Sequence, residues 1–225
     1  MAGIRAVLFD FGNTLFGHDS LAATIERCAA DIGSPTDATM ARSIATAIDR
    51  AAHTEAELSM LRDLDDSVWD ARWRVLYDIA DGWVPGLGSA LMTDMHAPMS
   101  WMPFRRTIAT IATLAAGGVS IGVVSNTGWD VRAVFRAYGI EPSIDDFVLS
   151  YEVGLVKPNP AIFVEACRRL GSSPGETLMV GDDPRADSGA TAAGLPVLLL
   201  PIVEPGTDNG IGVAIDAAGV RPLPN

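Results

Sequence analysis

Residues 4–16, IRAVLFDFGNTLF, decide the fold. A run as apolar as Ala6-Val7-Leu8-Phe9 fits a strand that is dry on both faces, the condition met inside a parallel sheet. The run stops at a carboxylate, Asp10, and gives way to Gly12, Asn13 and Thr14, small and hydroxylated residues that favour turning. An acid at the end of a buried strand is a place for chemistry. Two positions later, however, stands Gly12 and not a second acid.

Four further short apolar runs share this character: Ser120–Ser125, Phe147–Leu149, Thr177–Val180 and Pro196–Leu200. Helical spacing fills the segments between them, over Arg105–Ala116, Asp130–Tyr138, Ala161–Leu170 and Arg185–Ala193. Gly117-Gly118, Gly139, Gly171 and Gly194 fall where these helices should stop. Alternating strand and helix predicts an α/β protein with a Rossmann-like parallel sheet and right-handed crossovers. Residues 16–103 carry almost no strand signal and read as helices near 20–31, 36–53, 66–81 and 87–96. The expected organisation is therefore a core of residues 1–15 and 104–225 with a helical cap of residues 16–103. An insertion after the first strand lies above the strands' carboxyl ends, where open α/β sheets bind ligands, so the cap is a lid. The Gly- and Pro-rich tail from Pro201 is expected to wrap the core.

The chain has 225 residues, 48% of them apolar and 20% charged, the balance of a protein with a substantial core. Its net charge of −12 argues against nucleic acid or an anionic membrane as partner. No signal peptide precedes Asp10 and no apolar run is long enough to span a bilayer, which makes a cytoplasmic location the expectation. Cys28 and Cys167 lack metal-binding spacing and read as small buried side chains in a reducing compartment. Fifteen of the sixteen basic residues are arginine, and the single lysine is Lys157.

Four pieces fall at the carboxyl ends of the predicted strands: Asp10, Ser125-Asn126, Lys157, and Gly181-Asp182-Asp183 with Asp187. Each alone has an ordinary explanation as a turn residue, a helix cap or a solvated side chain. Four at equivalent positions on one sheet edge do not. Carboxylates ~4 Å apart repel by about 4 kcal/mol at an effective dielectric of about 20, so Asp10 and Asp182 need a cation. Mg²⁺ suits an oxygen-lined site with few protein ligands and takes phosphate oxygens as partners. An aspartate can then attack phosphorus, with Ser125 and the amide near Asn126 donating to phosphate oxygens and Lys157 offsetting charge.

The ordered quartet AVLFDFGNTLF, VVSNTG, VGLVKPNPAIF and LMVGDDPRADSGATAAG resembles the four motifs of the haloacid dehalogenase superfamily, whose members are mostly phosphatases. The resemblance covers residues 4–15 and about 104–200, and the helical insertion is similar to that family's cap. It implies a Mg²⁺-dependent phosphatase acting on a small-molecule phosphate. Asp10 is then nucleophile and metal ligand, Gly12 a metal ligand through its carbonyl, and Asp182 the second acidic ligand. Asp187 makes an indirect or water-mediated metal contact, and only one of the neighbouring Asp182 and Asp183 can hold the main ligand position. Ser125, Asn126 and Lys157 bind phosphate.

Most phosphatases of this resemblance carry an aspartate two residues after the nucleophile, where its side chain protonates the leaving group. Gly12 keeps the carbonyl and loses the proton donor, an assistance worth about 10²–10⁴-fold. His18 and Asp19 are the nearest replacements in sequence, but both read as solvated hinge residues. Three other functions compete. A 2-haloacid dehalogenase also lacks the acid, yet its last motif resembles serine-serine-asparagine, unlike GDDPRAD. Carbon–phosphorus cleavage needs a cap lysine that is absent here. A non-catalytic phosphate-binding module keeps the fold alone. In the cap, Trp69 and Trp73 read as packing residues able to stack on a ring, and Arg72 and Arg74 as surface cations able to meet a second anion. Trp129 reads as a pocket wall or a core residue of the next helix, and His53 and His96 as ordinary.

Overall fold

The structure, a computed structural model, describes residues 3–220; residues 1, 2 and 221–225 of the expected core lie outside the described residues. The strands are β1 (Ala6–Phe9), β2 (Phe16–His18), β3 (Trp101–Pro103), β4 (Ser120–Ser125), β5 (Asp146–Leu149), β6 (Thr177–Gly181) and β7 (Val197–Leu199). The first half of the chain holds helices α1 (Leu21–Asp31), α2 (Ala38–Ala52), α3 (Glu55–Leu58), α4 (Asp66–Tyr77) and α5 (Leu87–Met95). The second holds α6 (Thr107–Ala116), α7 (Arg132–Ala137), α8 (Ser150–Val153), α9 (Pro160–Arg169) and α10 (Val213–Ala217).

Five strands form a parallel sheet in the order β5-β4-β1-β6-β7. The chain builds outward from β1 on one side through β4 and β5, then returns to lay β6 and β7 on the other. The switch point, where such sheets bind ligands, lies between β1 and β6. Ala6 is level with both Ser120 and Thr177, and Phe9 with both Val123 and Val180. Asp10, Ser125 and Asp182 therefore emerge on one edge.

Burial on both faces explains the apolar runs. Val7 and Phe9 point into a core shared with Ile111 and Leu114 of α6, Phe135 of α7 and Ala214 of α10. Leu8 points the other way, against Ile162, Phe163 and Ala166 of α9. The expected helix over Arg185–Ala193 forms only from Asp187, as a 3₁₀ helix. Its Gly189 lies so close to the Pro158 carbonyl that a β-carbon would collide with it. The tail runs back along the core, with Arg105 N donating to Thr207 O at 2.8 Å and Asn209 Nδ2 to Thr14 O at 2.9 Å.

Helices α1, α2, α4 and α5 have a hydrophobic core of their own, centred on Ile25, Ile44, Ile48, Leu87 and Leu91. Their starts are capped by side chains that accept from the first free amides: Ser20 for α1, Asp37 for α2 and Asp65 for α4. The helical unit joins the sheet unit through an antiparallel ribbon that the sequence did not announce. In it β2 pairs with β3, placing Phe16 opposite Pro103 and His18 opposite Trp101. Three residues on each side are too few for alternation to register. Cys28 and Cys167 are buried and unbridged, and among the described residues no helix is long and apolar enough to cross a membrane. Ile44 is fully buried in the helical core, so Ile44→Ala is expected to destabilise the protein by about 2–5 kcal/mol, read by urea denaturation.

Candidate active site

Each candidate residue is placed by a short, specific device. Asp10 N donates to Val180 O at 2.9 Å, tying the end of β1 to β6. The chain then turns through Asn13, whose φ of +54° is a left-handed conformation that asparagine tolerates better than most residues. That turn brings the Thr14 hydroxyl within 3.1 Å of Asp182 Oδ1, to which it donates. Asn126, just past β4, uses both ends of its carboxamide on the backbone of Lys157: Oδ1 accepts from Lys157 N at 2.8 Å and Nδ2 donates to Lys157 O at 3.0 Å. The loop after α8 is thereby fastened to the end of β4. Ser125, at the end of that strand, is buried with its hydroxyl engaged by no protein partner among the described residues.

The charged centre is Lys157. Its Nζ lies 2.6 Å from Asp10 Oδ1 and 2.6 Å from Asp187 Oδ1. Asp187 is 0% exposed, and its Oδ2 accepts from the backbone amides of Asp182 and Asp183, each at 3.0 Å. A β-carbon on Gly181 would collide with that carboxylate, so glycine leaves the room it occupies. Both oxygens of Asp187 are thus held by the protein. Asp10 and Asp182 each retain one oxygen without such a donor.

Oxygen atoms of Asp10, Asp182 and Asp187 lie within 4.8 Å of one another, a spacing suited to a metal ion. Three carboxylates against one ammonium leave the cluster negative. Burial pushes the Asp10 carboxyl up to about 7; the Lys157 charge pulls it down, while Asp187 and Asp182 add to the rise. Asp182 is raised as well, mainly by burial, against the pull of the Thr14 hydroxyl. Burial alone would lower the Lys157 ammonium, but the charges of Asp10 and Asp187 outweigh it and hold it above its ordinary value. A divalent cation between Asp10 and Asp182 would relieve this imbalance, so the donor set fits such an ion.

These residues floor a cavity of about 390 Å³ lying between sheet and helices. Asp10, Gly12, Ser125, Asn126, Lys157 and Asp182 face it, with the exposed Asp183 at its rim and Asp187 behind Lys157. A β-carbon on Gly12 would meet nothing within 4 Å, so the position of the absent acid is open space. The walls are aromatic: Phe11, Trp101 and Trp129 from the core and hinge, Trp69 and Trp73 from α4. Trp129 also packs on Phe11 and Trp101, serving wall and core together. Trp69 sits against Gly128, where any side chain would strike its indole.

Several sequence candidates lie elsewhere. His18 Nε2 is 3.1 Å from the buried Asp94 Oδ2, so it faces a carboxylate of the helical unit and is not a solvated hinge residue, and with Asp19 it borders a separate cavity. Arg72, paired with Glu57, and Arg74, paired with Asp70, do not line this cavity. The arginine that does is Arg62, which with its neighbour Asp63 enters from the 3₁₀ turn Arg62–Leu64. Neither was singled out from the sequence, because nothing in their neighbourhood has a period or a motif.

The model of the haloacid dehalogenase-like hydrolase family matches residues 4–194. The chain belongs to this family. It is 30% identical over 206 residues, 88% of this chain and 85% of the relative, to the glyceraldehyde 3-phosphate phosphatase of Methanothermobacter thermautotrophicus. Its fold is similar to the HAD phosphatase from Thermococcus onnurineus, with a TM-score of 0.64, 19% identity, and 98% and 100% of the two chains covered. It is also similar to the magnesium-bound HAD-hydrolase YfnB from Bacillus subtilis, at 0.68 and 19%, covering 97% and 100%. The haloacid dehalogenase-like core thus carries its four segments at the sheet edge, and the chain is a hydrolase.

The raised Asp10 carboxyl has a measurable consequence. A group whose pKa is higher folded than unfolded disfavours folding once it must ionise, so its penalty grows as pH rises from about 4 to about 7. Without divalent metal, Asp10→Asn removes that penalty and leaves Lys157 balanced by Asp187. The variant is expected to be more stable than wild type at pH 8 in EDTA, by more than about 1 kcal/mol. The margin should shrink toward pH 4, as followed by thermal denaturation across the range.

Proposed function

We propose that this hydrolase is a Mg²⁺-dependent phosphatase of small organic phosphomonoesters, working through an aspartyl-phosphate on Asp10. The observation that carries the reading is Asp10 itself: one oxygen held by Lys157 at 2.6 Å, the other free, at the floor of a cavity with Ser125 and Asp182. Sustained similarity to a glyceraldehyde 3-phosphate phosphatase supports the substrate class.

The Lys157 ammonium favours the ionised Asp10 carboxylate against its burial and fixes one oxygen, which directs the free oxygen at phosphorus. The Ser125 hydroxyl and the backbone amides beside Asn126 donate to the non-bridging oxygens, where charge grows in the transition state. Asn126 contributes chiefly by holding Lys157 in place. Asp187 acts on the metal site indirectly, since its oxygens hold Lys157 and the amides of Asp182 and Asp183. Mg²⁺, held by Asp10, the Gly12 carbonyl and Asp182, would neutralise phosphate charge that a chain of net charge −12 otherwise repels.

Residues 16–103 act as the cap, with the β2–β3 ribbon as its hinge. The interdomain movement recorded for the magnesium-bound Bacillus subtilis relative is the kind of motion this layout allows. A cavity of about 390 Å³, walled by tryptophans, suits a small phosphate ester. Asp10→Asn is expected to lower phosphate release from a phosphomonoester at least about 10³-fold. EDTA should abolish turnover and Mg²⁺ restore it, while Asp182→Asn raises the Mg²⁺ concentration for half-activity about tenfold or more. Turnover that persists in EDTA would sink the metal-dependent reading.

A further inference from the structure

A phosphatase with glycine at position 12 needs its leaving-group proton from another residue, and the cavity holds few that qualify. The titratable groups facing it, among the described residues, are Asp10, Arg62, Asp63, Lys157, Asp182 and Asp183. Asp10 is the nucleophile, and Lys157 is bound to two carboxylates. Asp182 belongs to the metal site, and an arginine does not give up its proton. Asp183 is exposed, with Oδ1 accepting from Arg185 N at 2.7 Å in its own turn. Asp63 remains.

Its placement is specific. The chain reaches it through Leu61, a leucine held at φ +47°, a costly conformation for a branched residue. The turn is pinned to the phosphate-binding segment through Ser150, which is fully buried. Ser150 Oγ lies 2.5 Å from the Asp63 carbonyl, to which it donates, and accepts from Thr127 N at 2.9 Å. Asp63 thus descends from the cap beside the segment that follows Ser125-Asn126. It also borders a second, smaller cavity together with Asn126 and Lys157, so it sits against the centre from two sides. Its carboxyl makes no hydrogen bond to the described protein, which leaves it available to a ligand. Burial raises its pKa, against the pull of Arg62, in the direction an acid needs to hold its proton near neutral pH.

We propose that Asp63, delivered by the cap, is the catalytic acid that replaces the side chain missing at Gly12. This rests on the phosphatase reading. As the free oxygen of Asp10 bonds to phosphorus, the bond from phosphorus to the ester oxygen breaks. Its electron pair stays on that oxygen, and the Asp63 proton neutralises it, releasing the alcohol. The Asp63 carboxylate then takes a proton from the water that attacks the aspartyl-phosphate. The Asp10 carboxylate leaves, and inorganic phosphate and protonated Asp63 result.

The test compares first-turnover rates on an alkyl phosphate, whose leaving group needs a proton, and on 4-nitrophenyl phosphate, whose leaving group does not. Asp63→Asn is expected to slow release of the alcohol about 10²-fold or more. Release of nitrophenolate should fall much less, appearing as a burst followed by slow turnover. Gly12→Asp has room for its side chain and should raise the alkyl rate more in the Asp63→Asn background than in wild type. Equal loss on both substrates, or loss on neither, overturns the assignment. Asp63→Ser, read the same way with orthovanadate binding as the check on an intact site, serves if the asparagine variant does not fold. A wild-type protein that releases neither alcohol nor nitrophenolate overturns the phosphatase reading itself.

Discussion

The arrangement depends on one buried ammonium shared by two carboxylates. Lys157 sits 2.6 Å from both Asp10 and Asp187, and the contact draws together segments far apart in the chain. Removing Lys157 would leave buried carboxylates without their counter-charge, a loss that typically costs about 3–5 kcal/mol. Here the surplus is already negative with Lys157 present. The site is therefore stable as a scaffold and unsatisfied as a charge distribution, which is the condition for binding a cation and then a phosphate.

Asp187 shows how the scaffold and the unsatisfied charge are kept apart. Its carboxylate closes the turn that carries Asp182 and Asp183 by accepting both amides, and its second oxygen anchors Lys157. Gly181 makes room for it, since a side chain there would fill the same space. An acid that reads in sequence as one more member of a metal-binding cluster has both oxygens occupied by protein donors. Asp10 and Asp182 are left with free oxygens because their neighbours, Lys157 and Thr14, take only one each.

The sheet was legible because burial on two faces forces long apolar runs, and Asp10, Ser125 and Asp182 were legible because they interrupt those runs at equivalent levels. The cap helices were legible through their 3.6-residue spacing and through caps such as Ser20, Asp37 and Asp65. What escaped was set by long-range packing. The hinge ribbon pairs His18 with Trp101 across the whole helical unit, and three-residue strands leave no periodic trace. Arg62 and Asp63 lie in a short turn whose direction depends on one left-handed leucine and on a serine far along the chain. The sequence pointed to Arg72 and Arg74 as cap cations, but both lie off the cavity, on Glu57 and Asp70, and Arg62 faces it instead.

If the acid sits on Asp63 and not at position 12, the time at which the site is competent changes. An aspartate at position 12 would belong to the core and would be present whether the lid were open or closed. Asp63 is held where the 3₁₀ turn docks on Ser150, and Ser150 is bonded in turn to Thr127, next to Ser125-Asn126. On the proposed role of Asp63, docking of this turn and readiness for proton transfer would be one event. Trp69 lies over Gly128 in the same arrangement, so the helical unit also covers the segment after Ser125-Asn126. With glycine at position 12, proton delivery on the proposed mechanism would depend on how the helical unit sits over the site, and leaving groups that need no proton would depend on it least.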